Sequence, residues 1–233
     1  MVSKKTSEPK AFRGKDYTRD LKLNQLRDEV NRLQNEQLVL KHQLRLAHDE
    51  TEDLKKERAM LQKQIMLDGL TKVKNRKGFN LALEHEVSQL PVNGDLRKNT
   101  SESLGLLMVD ADFFKLVNDR YGHDVGDEVL VAIAHVLKNT VRTYDEVCRW
   151  GGEEFAIILP GINELGLKKV GEKIRAAVTE LNFDQIPNLQ VSVSIGGSVQ
   201  LHQDDKQLFV RADAALFDAK ENGRDRVTVT SVV

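Results

Sequence analysis

From Leu23 to Ile65 apolar side chains return every three or four residues without losing phase. In heptad terms the a positions are Leu23, Val30, Gln37, Leu44, Thr51, Arg58 and Ile65, and the d positions are Leu26, Leu33, Leu40, Ala47, Leu54 and Leu61. About six heptads without Gly or Pro predict a coiled coil rather than a surface helix, because only a partner helix can cover so narrow and so long a seam. At ~1.5 Å per residue the rod would be roughly 65 Å long. Gln37, Thr51 and Arg58 at core positions weaken the seam and penalise other registers and higher oligomers, which favours a parallel homodimer. One long helix folding back on its own domain is the alternative.

Composition changes on either side of this rod. Residues 1–20 are polar and aperiodic, carry Pro9 and Gly14, and read as a flexible arm. The arm is a docking peptide for an unidentified partner, a localisation tag or a disordered start. Residues 21–67 form the dimerisation helix, and a globular domain of residues 68–233 begins at Asp68-Gly69 with hardly any linker. A formal charge of −1 gives no global pull toward nucleic acid or anionic membrane, so any anion must be captured locally. No apolar run approaches the roughly 18 residues of a membrane span, and the basic N-terminus lacks the apolar segment of a secretory signal. A single cysteine, Cys148, excludes an intramolecular disulfide within the chain. A cytoplasmic protein is expected.

The globular part alternates strand and helix signals. Helices are expected over 75–90, 114–118, 126–140, 164–181 and 206–221, and strands over 104–110, 190–199 and 226–230. Pro91 to Ser103 is rich in turn formers and reads as a mobile loop, and Gly122-His123 as a turn. Between the third and fourth helices, Arg149-Trp150-Gly151-Gly152-Glu153-Glu154-Phe155 runs into Ala156-Ile157-Ile158-Leu159 and closes on Pro160-Gly161. Gly tolerates positive φ and lacks a Cβ, so Gly151-Gly152 marks the tip of a β-hairpin. A central hairpin cannot be parallel; the fold class is α/β (α+β), with a mostly antiparallel sheet flanked by helices.

Asp110 closes the apolar run Leu106-Leu107-Met108-Val109, at the end of a buried strand. A carboxylate there needs a partner, and a second carboxylate beside it would repel it unless a cation intervened. If the hairpin pairs beside that strand, Glu153 reaches the same cation. Two carboxylates, a backbone carbonyl and phosphate oxygens suit Mg²⁺, with Mn²⁺ as an alternative, and metal-assisted phosphoryl or nucleotidyl transfer is the reaction class that fits. An ordinary hairpin with solvated acids is the bland alternative.

Five segments extend this pattern: Asp68 to Phe79 (DGLTKVKNRKGF), Asp110 to Leu130 (DADFFKLVNDRYGHDVGDEVL), Arg149 to Phe155, Val191 to Gly197 (VSVSIGG) and Ala212 to Val227 (ADAALFDAKENGRDRV). In this order and spacing they resemble the GGDEF family of diguanylate cyclases, here in a GGEEF form, over essentially all of Asp68 to Thr230. The resemblance implies a palm-like nucleotidyl-cyclase domain that condenses two GTP molecules into cyclic di-GMP with release of pyrophosphate. It implies that Asp110, the carbonyl of Ala111 and Glu153 hold the metal, that Glu153 is also the general base, and that Glu154 completes the acidic tip. Asn118 and Asp127 match the guanine readers and His123 a further substrate contact. Phe113 and Phe114 match backbone donors to the phosphates, Lys115 a cation on the transferring phosphoryl, and Lys220 and Arg224 the triphosphate clamps. Taken alone, Asn118 is a helix C-terminal residue, Asp127 an N-cap and His123 a turn residue, while Lys220 and Arg224 complement a helix dipole. Asp225 stands where many relatives carry Asn.

Arg142-Thr143-Tyr144-Asp145 ends five residues short of Gly151, which resembles the RxxD spacing of the family's inhibitory product site, with Lys173 about where relatives place a second arginine. Arginine stacks on guanine or binds phosphate as a fork; lysine gives only a point charge. The family's reaction needs two GTP-loaded domains face to face, which the coiled coil would supply by raising their effective concentration. A non-catalytic cyclic di-GMP receptor or coiled-coil scaffold is the competing reading.

Overall fold

The computed structural model describes residues 11–91, 103–183, 186–187, 189–202 and 207–230. It divides into two compact units, Met1–Gln62 and Lys63–Val233. The first unit is made by helix α1, Ala11–Ile65. The helix therefore starts within the expected arm, at Ala11 rather than after residue 20; a lone Gly14 costs about 1 kcal/mol of propensity, too little to stop it. Residues 1–10 of that arm, and 92–102 of the expected mobile loop, lie outside the described residues. Of the seam, Leu23, Leu26, Val30, Leu33, Leu40, Leu44 and Leu54 are exposed large apolar side chains on the single chain.

The second unit is a six-stranded sheet with helices on both faces. Its elements are β1 (Lys74–Asn75), α2 (Arg76–Ser88), β2 (Leu104–Ala111), α3 (Phe114–Tyr121), α4 (His123–Thr140), β3 (Glu146–Arg149), β4 (Glu154–Pro160), α5 (Glu164–Thr179), β5 (Val193–Gln200), α6 (Leu208–Glu221) and β6 (Val227–Thr230). Spatial order is β1-β3-β4-β2-β5-β6. The three central pairings, β3 with β4, β4 with β2 and β2 with β5, are antiparallel, and the two edge pairings are parallel. The expected mostly antiparallel sheet is thus present, with the two-residue β1 as an added edge. Asn75 sets that edge: its side-chain oxygen accepts from Gly78 N–H to cap α2, while its amide donates to the carbonyls of Ile65 and Leu67.

Strand β2 is buried along its whole length, and its alternation assigns the two cores. Leu107 and Val109 pack with Phe155 and Ile157 of β4 beneath α4 and α5, through Val129, Ile133, Leu137, Ile174 and Val178. Leu106 and Met108 pack with Ala156 and Ile158 on the opposite face, beneath Phe79 of α2 and Leu208, Ala212 and Leu216 of α6. Truncating a side chain such as Phe155 to Ala would cost about 3–5 kcal/mol. On β5, Gly196 lets α6 lie close: a Cβ there would stand 2.1 Å from Leu216 N. This close approach sets the height of α6 above the sheet.

Candidate active site

Asp110 follows Met108 by two residues and so continues the α6 face of β2. Its register partner on β4 is Glu154. Leu208, Ala212 and Leu216 form a stripe on α6 at intervals of four, and Lys220 is its next member. The stripe delivers the Lys220 ammonium to 2.8 Å from Asp110 Oδ2. Lys220, expected on the triphosphate, is in this structure the counter-charge of the strand-end carboxylate. Burial pushes the Asp110 carboxyl above its ordinary range; Lys220 opposes the rise only in part and Asp112 adds to it. Burial and then the charge of Asp110 push Glu154 up as well. Two desolvated carboxylates side by side are an unfavourable arrangement that a cation relieves.

The direct cross-strand neighbour of Asp110 is therefore Glu154. Glu153 precedes β4 at the hairpin tip, half-buried, and its carbonyl accepts from Ala111 N–H at 3.3 Å, joining the tip to the end of β2. Neither Gly151 nor Gly152 takes a positive φ, contrary to the turn chemistry expected of the pair. What Gly152 contributes is open space, with nothing within 4 Å of where a Cβ would stand. Arg149 shapes this tip. Its Nε and Nη2 donate to Gly152 O at 3.0 and 2.8 Å, and its Nη1 lies 3.2 Å from Asp68 Oδ1. Burial alone would raise the Asp68 carboxyl, but donors from Thr71 and Arg149 outweigh it and hold it below the ordinary value. Arg149 and Asp68 carry no site role in the sequence reading; an Arg two residues before a Gly-Gly tip is the signal that points to this contact.

Phe113 links the end of β2 to α3 in a left-handed conformation, φ 54°, and no side chain caps α3. Leu116 and Val117 N–H donate to Phe113 O, and with no side-chain cap the earlier N–H groups of α3 are the candidates for the phosphate role expected of Phe113 and Phe114. Phe114 is buried, Phe113 is 58% exposed, and the Arg224 guanidinium stacks 4.8 Å from the Phe113 ring. Lys115 is exposed on the same turn. Two of the expected phosphate groups, Phe113 and Arg224, are thereby brought together.

The base-reading candidates lie further out. Gly126 of α4 passes so close to α3 that an added Cβ would sit 1.9 Å from Asn118 Oδ1. That oxygen is buried and finds no hydrogen-bond partner among the described residues, which is unusual for a structural amide and suits a ligand donor. Asp127 and His123 are exposed on the first turns of α4. Asp127 lines an open groove of about 530 Å³ with Leu70, Val131 and Phe183, a lining that does not include Asn118.

The second cluster is separate. Asp145 is buried, its Oδ2 accepts from Arg142 N–H at 2.7 Å, and its Oδ1 has no partner among the described residues. Arg142 is exposed and donates to the Tyr144 hydroxyl at 2.8 Å. Arg142, Asp145 and Lys173 line one cavity of about 280 Å³, so the three expected product-site residues converge. Cys148 is buried, its thiol pushed up to about 12, and it has no reactive role.

A divalent cation fits the first cluster by its donor chemistry. Mg²⁺ is commonly held by one or two carboxylates with backbone, water and phosphate oxygens completing the shell. The end of β2 and the hairpin tip offer carboxylates and a carbonyl of that kind.

A central antiparallel sheet carrying paired acids where β2 and the hairpin meet, with an uncapped helix start beside them, defines a palm-like α/β domain. Residues 65–226 match the family described as "Diguanylate cyclase, GGDEF domain", and the chain belongs to that family. It is 38% identical over 156 residues to diguanylate cyclase A of Treponema denticola, covering 65% of this chain and 40% of that protein. Against diguanylate cyclase DgcM of Escherichia coli it is 34% identical over 183 residues, 78% of this chain and 42% of the relative. The chain thus spans about two fifths of the length of these curated relatives. Among solved structures, the coiled coil and GGDEF domain of DgcB from Caulobacter crescentus, in complex with c-di-GMP, superposes with TM-score 0.69 at 28% identity, over 82% of this chain and 99% of that one. The diguanylate cyclase SiaD of Pseudomonas aeruginosa, in complex with its activator SiaC, gives TM-score 0.71 at 32% identity, over 94% and 83%. Among the described residues no helix is long and apolar enough to cross a membrane.

Proposed function

We propose that this chain is a diguanylate cyclase that joins two GTP molecules into cyclic di-GMP. Each 3'-oxygen forms a bond to the α-phosphorus of the other nucleotide, the bond from that phosphorus to the pyrophosphate breaks, and the hydroxyl proton passes to a tip carboxylate, with Glu153 assigned as acceptor. The observation that carries the reading is the Asp110 and Glu154 pair beneath Lys220, beside the uncapped start of α3. Mg²⁺ held by Asp110, the Ala111 carbonyl and Glu153 would supply Lewis-acid stabilisation of the charge that builds on the phosphoryl oxygens. The chain's own part is orientation. The N–H groups of Phe113 and Phe114 cradle phosphate, Lys115, Lys220 and Arg224 balance its charge, and Asn118, Asp127 and His123 read the guanine.

One domain holds one GTP, so the reaction needs two domains, and the exposed heptad seam of α1 supports a parallel coiled coil that tethers them. The cavity shared by Arg142, Asp145 and Lys173 supports a product site, where the orphaned Asp145 oxygen can accept from guanine N–H groups. DgcB, to which this chain is similar, is itself solved in complex with c-di-GMP.

Incubating the full chain with GTP and MgCl₂, and resolving nucleotides by chromatography, tests this. Cyclic di-GMP and pyrophosphate are expected, abolished by Glu153→Ala and by EDTA. A silent wild type that still binds cyclic di-GMP would replace the enzyme with a receptor.

A further inference from the structure

Asp112, two residues beyond the metal-site carboxylate, is 6% exposed and meets no cation. Its two oxygens take three hydrogen bonds instead. Oδ1 accepts from the Ser194 hydroxyl at 2.7 Å; Oδ2 accepts from the Ser192 hydroxyl at 2.7 Å and from the backbone N–H of Asp225 at 3.1 Å. Its own N–H donates to Ser192 O at 2.9 Å. Both carboxylate oxygens are thus engaged by donors, which suits a buried anion.

The segments it joins are strained on both sides. Phe113, its neighbour in sequence, has φ 54°; across the gap Gly223, Arg224 and Asp225 are consecutive left-handed residues at φ 111°, 58° and 45°. Non-glycine residues hold that conformation only where the surroundings over-determine it, and such strain concentrates at functional sites. Asp225 is also fixed from α5, through Arg175 Nη1 to its Oδ1 at 2.9 Å. Between these two anchored ends lies the contact of the Phe113 ring with the Arg224 guanidinium at 4.8 Å.

We infer that Asp112 is a positioning residue for triphosphate binding: its carboxylate locks the Gly223 to Asp225 turn against the Phe113 turn, so that Arg224 and the N–H groups opening α3 face one phosphate chain. This rests on the reading of those groups as GTP ligands. Asp112 touches no substrate and acts through Asp225 N–H. An amide preserves the mechanism, since Asn Oδ1 can accept from Asp225 and Ser192 while its NH₂ donates to Ser194, whose hydroxyl can turn to accept.

The test compares wild type, Asp112→Ala and Asp112→Asn by GTP kinetics, by binding of a non-cleavable GTP analogue, and by binding of cyclic di-GMP at the separate Arg142 cavity. Asp112→Ala is expected to raise KM for GTP and weaken the analogue by roughly tenfold or more, with a smaller change in kcat and unchanged cyclic di-GMP binding; Asp112→Asn should recover most of the loss. An Ala variant with wild-type KM and analogue affinity overturns the role of Asp112 alone. So does an Asn variant as impaired as Ala, or parallel loss of cyclic di-GMP binding, which would mean general destabilisation. A wild type that binds no GTP analogue overturns the GTP-site reading and this inference together.

Discussion

The Lys220 ammonium sits 2.8 Å from the Asp110 carboxylate, at the point where the buried stripe of α6 meets the end of β2. Two periodicities make the contact. Alternation along β2 puts Asp110 on the same face as Leu106 and Met108, and the interval of four along α6 carries Leu208, Ala212 and Leu216 on to Lys220. The ion pair balances a buried charge and fixes a cation beside the paired acids.

Lys220→Met should therefore do two things. It removes the cation that hydrogen-bonds Asp110, so that carboxyl moves further above its ordinary range, and it removes a fixed charge beside the paired acids. Turnover should fall by about 10²–10³, the usual effect of losing a preorganised electrostatic group, with the fold retained. Steady-state rates alongside circular dichroism check this, and a fall below tenfold would mean that Lys220 serves Asp110 only.

Glu154 should show a trade of stability for function. Facing Asp110 across the ladder, it is pushed up by burial and by that neighbour, so the charged forms of the two acids disfavour each other. Glu154→Gln removes one charge and keeps the shape. The metal-free variant should melt higher by about 1–3 °C while its activity drops. A lower melting temperature would show that the pair is not frustrated.

The sheet was legible in the sequence because its signals are local: the unbroken apolar run of β2, the Gly-Gly tip, and the turn at Gly122. The two-residue β1 carries no pattern of its own and exists because Asn75 bonds the carbonyls of Ile65 and Leu67. Within the site both tip acids were legible, but Glu153 and Glu154 look alike in sequence, and only the register shows that Glu154 is the one that faces Asp110. Contacts such as Asp68 with Arg149, 81 residues apart, or Asp112 with Asp225, 113 apart, leave no local trace.

That Asp68 contact has an acid signature. Its carboxyl is held below the ordinary 3.8 by Thr71 and Arg149 against the opposing effect of burial. A depressed native pKa adds stability above the unfolded value and loses it as pH falls through the native one. Arg149→Met removes part of the cause, so acid unfolding should begin at higher pH, with about 1–3 kcal/mol lost at neutrality as Asp68 and the Gly152 carbonyl lose a donor. Melting curves across an acid pH series measure both, and coincident wild-type and variant curves would dismiss the contact.

Product inhibition should weaken in mild acid. Burial raises the Asp145 carboxyl above 3.8, although the Arg142 N–H and charge oppose the shift. Guanine N–H groups need an ionised acceptor, so as pH falls through this raised value the site loses its acceptor earlier than an ordinary carboxylate would. The inhibition constant for cyclic di-GMP should rise as pH is lowered toward that range. Arg142→Ala should raise it at every pH, and inhibition unchanged in that variant would remove the site.

If the seam of α1 tethers two domains as proposed, activity should depend on association. Its Leu26, Leu33 and Leu40 are exposed on the single chain and lie at successive d positions, where each would fill a hole between four residues of a partner helix. Replacing Leu33 and Leu40 by Lys puts like charges face to face in a dimer and leaves an isolated helix without a buried seam to lose. The globular unit, with its separate core, should keep its melting transition. Sedimentation should then report a monomer, and specific activity should become dependent on protein concentration, since two domains must meet by diffusion to place one 3'-hydroxyl against the other's phosphate. A variant that stays dimeric, or a monomer with wild-type specific activity at low concentration, would show that the heptads do not assemble the catalytic pair.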